Sequence, residues 1–371
     1  GRIKAVICTG CLAERYREEV LNEIPELDAV IGIGSNDKLC SIIREVLERQ
    51  ESITDFGDKC GLCLEGGRII STQPFYAYIK IAEGCDNCCT YCAIPSIRGR
   101  FRSRKLEDII SEAKWLAENG VTELVVVAQD TTRYGEDIYG EPSLAKLLRE
   151  LCRIDGLKWI RTLYAYPERI TDELLDAIAQ EEKLVKYLDI PIQHCNKEVL
   201  KRMNRHGDRE TLTALIQKIR RRIPGITLRT TLIAGFPGET DEQFEELCEF
   251  VREMRFDRLG CFAYSAEEGT PAAGMEDQIP LKIRERRAEL IMEEQMFISD
   301  SLNEKALDKT IEVVTEGFDR YAECWYGRSA ADAPEIDGKI FFISDTKLRE
   351  GDYVSVHIDD TLDYDLIGTR I

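Results

Sequence analysis

The 371-residue sequence predicts an α/β protein in three parts. The main part is an open, partial TIM-type (β/α)6 barrel. A fragment of an α/β unit precedes it, and a small all-β barrel of OB-like size follows. Three observations carry this reading. From residue 75 a β-then-α rhythm begins, in which Val-, Ile- and Leu-rich strands alternate with amphipathic helices, the pattern of a parallel sheet with crossover helices. Six strands fit the rhythm, too few to close a TIM barrel of eight. After residue 306 the pattern changes to short alternating strands separated by Gly and Asp turns, as in a small antiparallel barrel.

The elements follow in order. Residues 1–50 read as strand "KAVICTG", helix "LAERYREEVLNEI", strand "DAVIGIG" and helix "DKLCSIIREVLERQ". The chain enters a buried-strand pattern directly after Gly1, so this unit is expected to be the C-terminal part of a longer domain. Residues 51–74 lack periodicity and carry several glycines, which marks a linker. Within 75–304 the six strands are "AYIKIAEG", "TELVVVAQ", "WIRTLYAY", "VKYLDIPI", "TLRTTLIAG" and "RLGCFAYS". The intervening helices include "LEDIISEAKWLAEN" and "DEQFEELCEFVREM", and a long charged helix over about 280–306 closes the unit. Residues 305–371 supply "TIEVVTEGF", "AECWYGRS", "GKIFFISD" and "DYVSVHIDD".

Composition narrows the function. The net charge is −19, and residues 305–371 alone carry eight Lys or Arg against fifteen Asp or Glu, a net of −7. Such a chain repels nucleic-acid phosphates as a whole, and a basic protein is the better partner. No segment reaches the length of a membrane span, and no secretory h-region is visible, so no membrane association and a cytoplasmic setting are expected. Fourteen cysteines without a secretory signal point to metal ligands rather than disulfides. Scattered ones such as Cys152, Cys248 and Cys261 lie in apolar patterns and read as core.

The stretch "GCDNCCTYCAIP" places four cysteines within eight residues, directly after the first strand of the barrel unit. There a βα loop carries the active site of a TIM-type fold. One reading takes Cys85, Cys89 and Cys92 as three thiolates for a [4Fe–4S] cluster, with Cys88 a bystander. The fourth iron is then open to chelate a small molecule, and the amino and carboxylate groups of S-adenosylmethionine (SAM) suit it. One electron from the cluster to the sulfonium then breaks a C–S bond and releases a 5′-deoxyadenosyl radical. The other reading is a zinc site of Cys60, Cys63, Cys89 and Cys92, a non-enzymatic adaptor. It ignores Cys85 and gives the six-stranded unit no chemistry.

Beyond the cysteines, "RGRFRSR" (98–104), "VVVAQDTTRYG", "YAYPERITDELL", "YLDIPIQHCNKEVLKRMNR" and "TTLIAGFPGETDEQF" complete a pattern that resembles the radical-SAM methylthiotransferases. The resemblance spans nearly the whole chain. It implies a radical-SAM partial barrel over 75–304, a TRAM domain over 305–371, and the end of the family's N-terminal domain over 1–50. Two branches compete, one modifying an adenosine of tRNA and the other an aspartate of ribosomal protein S12. "AQDTTRYG", "YAYPER" and "LDIPIQH" are similar to the second branch, so S12 on the small ribosomal subunit is the expected partner, with an electron donor, and tRNA is not. The acidic C-terminal barrel agrees, and Asp332, Glu335 and Asp337 with Asp359, Asp360, Asp363 and Asp365 are read as its negative surface.

The resemblance also assigns residues. Cys85, Cys89 and Cys92 are the catalytic and metal-binding set. Gln129 and Asp130, after the second strand, stand where the family holds the SAM amino group, although Asp130 also reads as a turn residue. Tyr91 is expected near the adenine, against the plainer reading of a packing tyrosine. Among Arg98, Arg100, Arg102 and Arg104, Arg102 is assigned to a carboxylate of SAM or substrate. Gln193 is expected at the barrel mouth with His194, as a cofactor contact. Gly235, with Gly238, is expected to border the adenine or ribose, or simply to form a tight turn. The family holds a second, auxiliary [4Fe–4S] cluster with three N-terminal cysteines. Only Cys11, in "TGC", matches; the other two are absent from this chain, and Cys8 is off the pattern. In the family this cluster carries the sulfur that a further SAM methylates before it joins the aspartate β-carbon.

Overall fold

The computed structural model describes residues 3–49, 52–61 and 65–371. The N-terminal unit runs β1 (Ile7–Thr9), α1 (Cys11–Tyr16), α2 (Glu18–Glu23), β2 (Ala29–Gly34), α3 (Leu39–Arg49) and β3 (Ile53–Gly57). Its sheet is parallel, in the order β1-β2-β3. Two details differ from the sequence reading. The single helix expected over 12–24 breaks at Arg17, whose φ of 49° no α-helix tolerates; its guanidinium stacks over Phe56 and pairs with Glu14. The stretch 51–74 was expected to be linker throughout, yet residues 53–57 add the third strand.

The six barrel strands form where the apolar runs place them. They are β4 (Tyr76–Lys80), β7 (Glu123–Val127), β8 (Trp159–Thr162), β9 (Tyr187–Asp189), β10 (Thr227–Ala234) and β11 (Arg258–Ala263). A short pair, β5 (Ala82–Glu83) and β6 (Arg102–Ser103), brackets α4 (Ile94–Arg98). The remaining helices are α5 (Leu106–Glu118), α6 (Glu136–Tyr139), α7 (Leu144–Cys152), α8 (Asp172–Gln180), α9 (Lys197–Arg202), α10 (Arg209–Arg222), α11 (Asp241–Met254) and α12 (Leu281–Asn303). Strand pairing is parallel within β4-β7-β8 and within β9-β10-β11. The two halves join where Ile160 N donates to Lys183 O (2.7 Å) and Val185 N to Ile160 O (3.1 Å). Helix starts follow local signals: Asp208 with Thr211, and Thr240 with Gln243, form capping boxes at α10 and α11.

Side-chain alternation splits each strand between two environments. Ile79, Leu124, Val126, Ile160, Leu188, Leu228 and Leu232 face the helices and are buried in the main core. The opposite set faces the barrel interior, and at the base it includes Tyr76, Val125, Trp159 and Tyr187.

The C-terminal unit is a closed five-stranded barrel in the order β12-β13-β14-β16-β15. Its strands are β12 (Thr310–Asp319), β13 (Cys324–Ser329), β14 (Ile340–Ile343), β15 (Tyr353–Leu362) and β16 (Asp365–Arg370). The last strand was missed in the sequence. Gly368 reads there as a turn signal, but a Cβ at this position would lie 2.2 Å from His357 O, so glycine lets β16 approach β15.

The loop between β13 and β14 stoppers the base of the partial barrel. Arg161 donates to Ala330 O (3.0 Å), Arg258 pairs with Asp332, and Tyr187 Oη donates to Asp337 Oδ2 (2.7 Å). Arg229 bridges Asp189 (3.0 Å) and Asp337 (3.6 Å), and Arg328 pairs with Glu123. Val314 and Ala333 complete the apolar part of the seam against Phe75, Tyr76 and Trp159. This corrects the expected negative surface: Asp332 and Asp337 are neutralised inside the seam, and Glu335 accepts from Tyr76 Oη (3.0 Å). Glu335, Asp359, Asp360 and Asp363 of that set stand exposed, and Asp365 is half-buried.

Candidate active site

At the C-terminal ends of the strands a cavity of about 430 Å³ opens, within the usual size of a small-molecule site. Cys85, Cys89 and Cys92 stand in its wall with Asn87, Tyr91, Ala128, Gln129, Tyr164, Tyr166, Pro191, Gln193 and Arg205. The loop that carries the cysteines is tied at its neck. Gly84 has φ 77°, and a Cβ there would meet Arg100 O at 2.2 Å, so only glycine fits where the two ends cross. The β5–β6 ladder and Cys85 N to Gly99 O (3.2 Å) fasten the same neck. Farther along, Thr90 N donates to Met203 O (3.0 Å), and Asn204 Nδ2 donates to Cys88 O (3.0 Å). Cys88 is exposed, takes φ 50°, and does not line the cavity. The bystander role expected for it agrees with this position.

Burial pushes the Cys85 thiol up to about 11 and raises Cys92 as well. Loading with metal therefore releases protons from thiols that hold them at neutral pH. Among the described residues, no three His, Cys, Asp or Glu side chains are grouped to hold a single metal ion. The three cysteines instead line one cavity of about 430 Å³. Two buried polar atoms in the same wall have no partner among the described residues: Gln129 Oε1, an acceptor, and Arg205 Nε, a donor. An unpaired buried polar group is costly. One acceptor for an ammonium and one guanidinium for a carboxylate match the amino-acid end of SAM. Arg205 is 6% exposed and, among the described residues, is the only cationic side chain in the wall. The donor set thus fits both groups.

Comparisons with known proteins agree with this geometry. Residues 79–251 match the Radical SAM superfamily, and residues 309–371 match the TRAM domain. The ribosomal protein uS12 methylthiotransferase RimO of Clostridium tetani (strain Massachusetts / E88) is 50% identical over 365 residues, covering 98% of this chain and 82% of that protein. The protein of the same name from Thermoanaerobacter sp. (strain X514) is 50% identical over 368 residues, covering 99% and 84%. The chain belongs to the RimO family of methylthiotransferases. The radical S-adenosylmethionine methyltransferase TsrM of Kitasatospora setae, solved with tryptophan and a SAM analogue, shares the fold at a TM-score of 0.55 and 14% identity, over 85% of this chain and 61% of that one.

Several residues singled out in this RimO-family sequence lie elsewhere than expected. Asp130 is fully buried behind the wall, where its carboxylate accepts from Asn87 Nδ2 (2.9 Å) and Thr132 Oγ1 (2.6 Å). It fixes the cysteine loop rather than facing the cavity. Gln193 does line the cavity, with φ 68°. His194 does not; its Nδ1 accepts from Asn196 N (2.9 Å) and its Nε2 faces Glu239 at 3.5 Å. Gly235 does not border the cavity either. It has φ 73°, and a Cβ there would lie 2.4 Å from Arg284 Cγ of α12, so the plainer turn-and-packing role explains it. Arg102 lies outside the cavity, on β6. Its guanidinium nitrogens are buried with no partner among the described residues, and a Cβ on Gly99 would reach both Cys60 Sγ (2.8 Å) and Arg102 Nη1 (3.8 Å). Cys63, the fourth ligand of the zinc reading, lies outside the described residues. Cys11 sits at the start of α1, where its sulfur accepts from Arg98 Nη2 of α4 at 3.0 Å. Arg205, Tyr164, Tyr166 and Asn87 are cavity residues that the sequence reading left unassigned.

Proposed function

We propose that this chain is the radical-SAM methylthiotransferase that its RimO-family relatives are named for, acting on the β-carbon of an aspartate in ribosomal protein uS12. One observation carries the reading: three thiols of one loop share a cavity with the acceptor Gln129 Oε1 and the donor Arg205 Nε, neither of which has a partner among the described residues. Cys85, Cys89 and Cys92 hold a [4Fe–4S] cluster there, which when bound supplies the electron that cleaves SAM and so makes hydrogen abstraction from an unactivated carbon possible. Gln129 accepts from the SAM ammonium, and Arg205 grips its carboxylate in charge-assisted hydrogen bonds. Tyr91, Ile94, Ala128, Ala165 and Pro191 supply the apolar wall that keeps water from the reacting carbon. The acidic face of the TRAM barrel meets the basic substrate protein, and an external one-electron donor serves the cluster.

Two measurements test this. The anaerobically loaded chain should hold iron and sulfide and, with a reductant, cleave SAM to methionine and 5′-deoxyadenosine. With uS12 deuterated at the aspartate β-carbon, the released 5′-deoxyadenosine should carry deuterium. Zinc in place of iron, or cleavage without deuterium transfer, overturns the cofactor or the substrate part respectively.

A further inference from the structure

Cys89 differs from the other two cavity cysteines in its neighbours. Tyr166 Oη lies 3.8 Å from Cys89 Sγ, while the Cys85 sulfur accepts only a backbone N–H, that of Asn87 at 3.5 Å. Tyr166 belongs to the segment that leaves β8, far from the cysteine loop in sequence, and it is held from two sides. Its N–H donates to Thr132 Oγ1 (3.1 Å), which in turn donates to the buried Asp130. The Arg205 guanidinium sits over its ring, 4.0 Å from the centroid, and is anchored by Pro191 O (2.7 Å).

Between a free thiol and a phenol either group can donate. A sulfur bound to iron has no proton, so only the hydroxyl can. We propose that Tyr166 is a positioning residue whose hydroxyl donates a hydrogen bond to the iron-bound sulfur of Cys89 and raises the cluster's reduction potential. Donation draws charge from the sulfur and favours the reduced, more negative state. Thr132, Asp130 and Arg205 fix the donor before the cluster binds. The inference rests on the cluster assignment made above.

The test is an EPR-monitored redox titration of the cluster-loaded full chain, without SAM, at neutral pH. Tyr166→Phe keeps the ring and removes the donor, so its potential should fall below that of the wild type. Tyr166→3-fluorotyrosine keeps the ring and strengthens the donor, so its potential should rise. Opposite shifts about the wild type are a signature that simple loosening of the cavity does not give. Coincident potentials, or shifts of the same sign, overturn the proposal. If Tyr166→Phe fails to hold iron, the sign of the fluorotyrosine shift decides. Failure of the wild-type chain to take up iron overturns the cluster assignment, and the inference falls with it. Normal loading with unmoved potentials defeats this inference alone.

Discussion

Asp332 Oδ1 lies 2.5 Å from Arg258 Nη2, joining the β13–β14 loop to the first residue of β11. Asp332 is buried and Arg258 half-buried, and Ser329 gives Asp332 two further hydrogen bonds, from N (3.2 Å) and Oγ (2.6 Å). The pair ties the TRAM barrel to the base of the catalytic barrel.

Removing Asp332 leaves the half-buried Arg258 guanidinium without this partner, which costs about 1–3 kcal/mol. Asp332→Ala should therefore lower the thermal midpoint and open the seam to limited proteolysis. Burial alone would raise the Asp332 carboxyl, but the Arg258 charge and the hydrogen bonds outweigh it and hold it below its usual value. A depressed carboxylate stabilises above its unfolded pKa, about 3.9, and loses that contribution as pH falls through the folded value. The gap between wild type and Asp332→Ala should thus be full at neutral pH and shrink below about pH 4. A gap independent of pH in unfolding scans would count against the pair.

Cys85→Ala, Cys89→Ala and Cys92→Ala should each abolish cluster retention and SAM cleavage, since each thiolate anchors one iron. Cys88→Ala should retain about four irons per chain and the visible absorbance of thiolate-bound iron. Iron analysis of the four loaded variants checks this; bleaching in Cys88→Ala alone would reverse the assignment.

Arg205→Met should weaken SAM binding about tenfold to a hundredfold, the size of a lost charge-assisted hydrogen bond. Arg102→Met should leave SAM affinity at the wild-type value. Equilibrium dialysis of labelled SAM against the loaded proteins distinguishes the two arginines, and equal losses would restore Arg102 to the site.

Neutralising Asp359, Asp360 and Asp363 together should slow association with the basic substrate protein and spare SAM cleavage. The effect should fade with salt, as the Debye length shortens from about 10 Å at 0.1 M. Stopped-flow association at two ionic strengths measures it; an unchanged rate at low salt would remove these carboxylates from the encounter surface.

The barrel strands were legible because each is centred on an apolar stretch between helical patterns. The strands β3 and β16 were not, since both are half-exposed and carry glycine, at the end of β3 and inside β16. The cysteine spacing is local, so the three cysteines that line the cavity could be read from one loop. Arg205 could not. In sequence it follows a helix end, where a cation ordinarily serves the helix dipole. Its burial comes from Tyr166 and Pro191, which two other strands deliver. Arg102 failed for the converse reason: "RGRFRSR" looks like a cationic loop, but the β5–β6 ladder turns Arg102 away from the cavity, and Arg104 is absorbed by Glu65 and Glu112. Likewise Asp332 and Asp337 look solvated in sequence, because their cationic partners stand on strands roughly a hundred residues earlier.

The stoppered base has a consequence for the order of events. With that end closed by the chain's own loop, the nucleoside cofactor and the protein substrate share one doorway, at the C-terminal ends of the strands. The smaller guest must be seated before the larger one covers it, and it leaves only after the larger one withdraws. On the proposed function, turnover is therefore first in, last out, and a substrate protein that lingers at the threshold imprisons spent cofactor behind it.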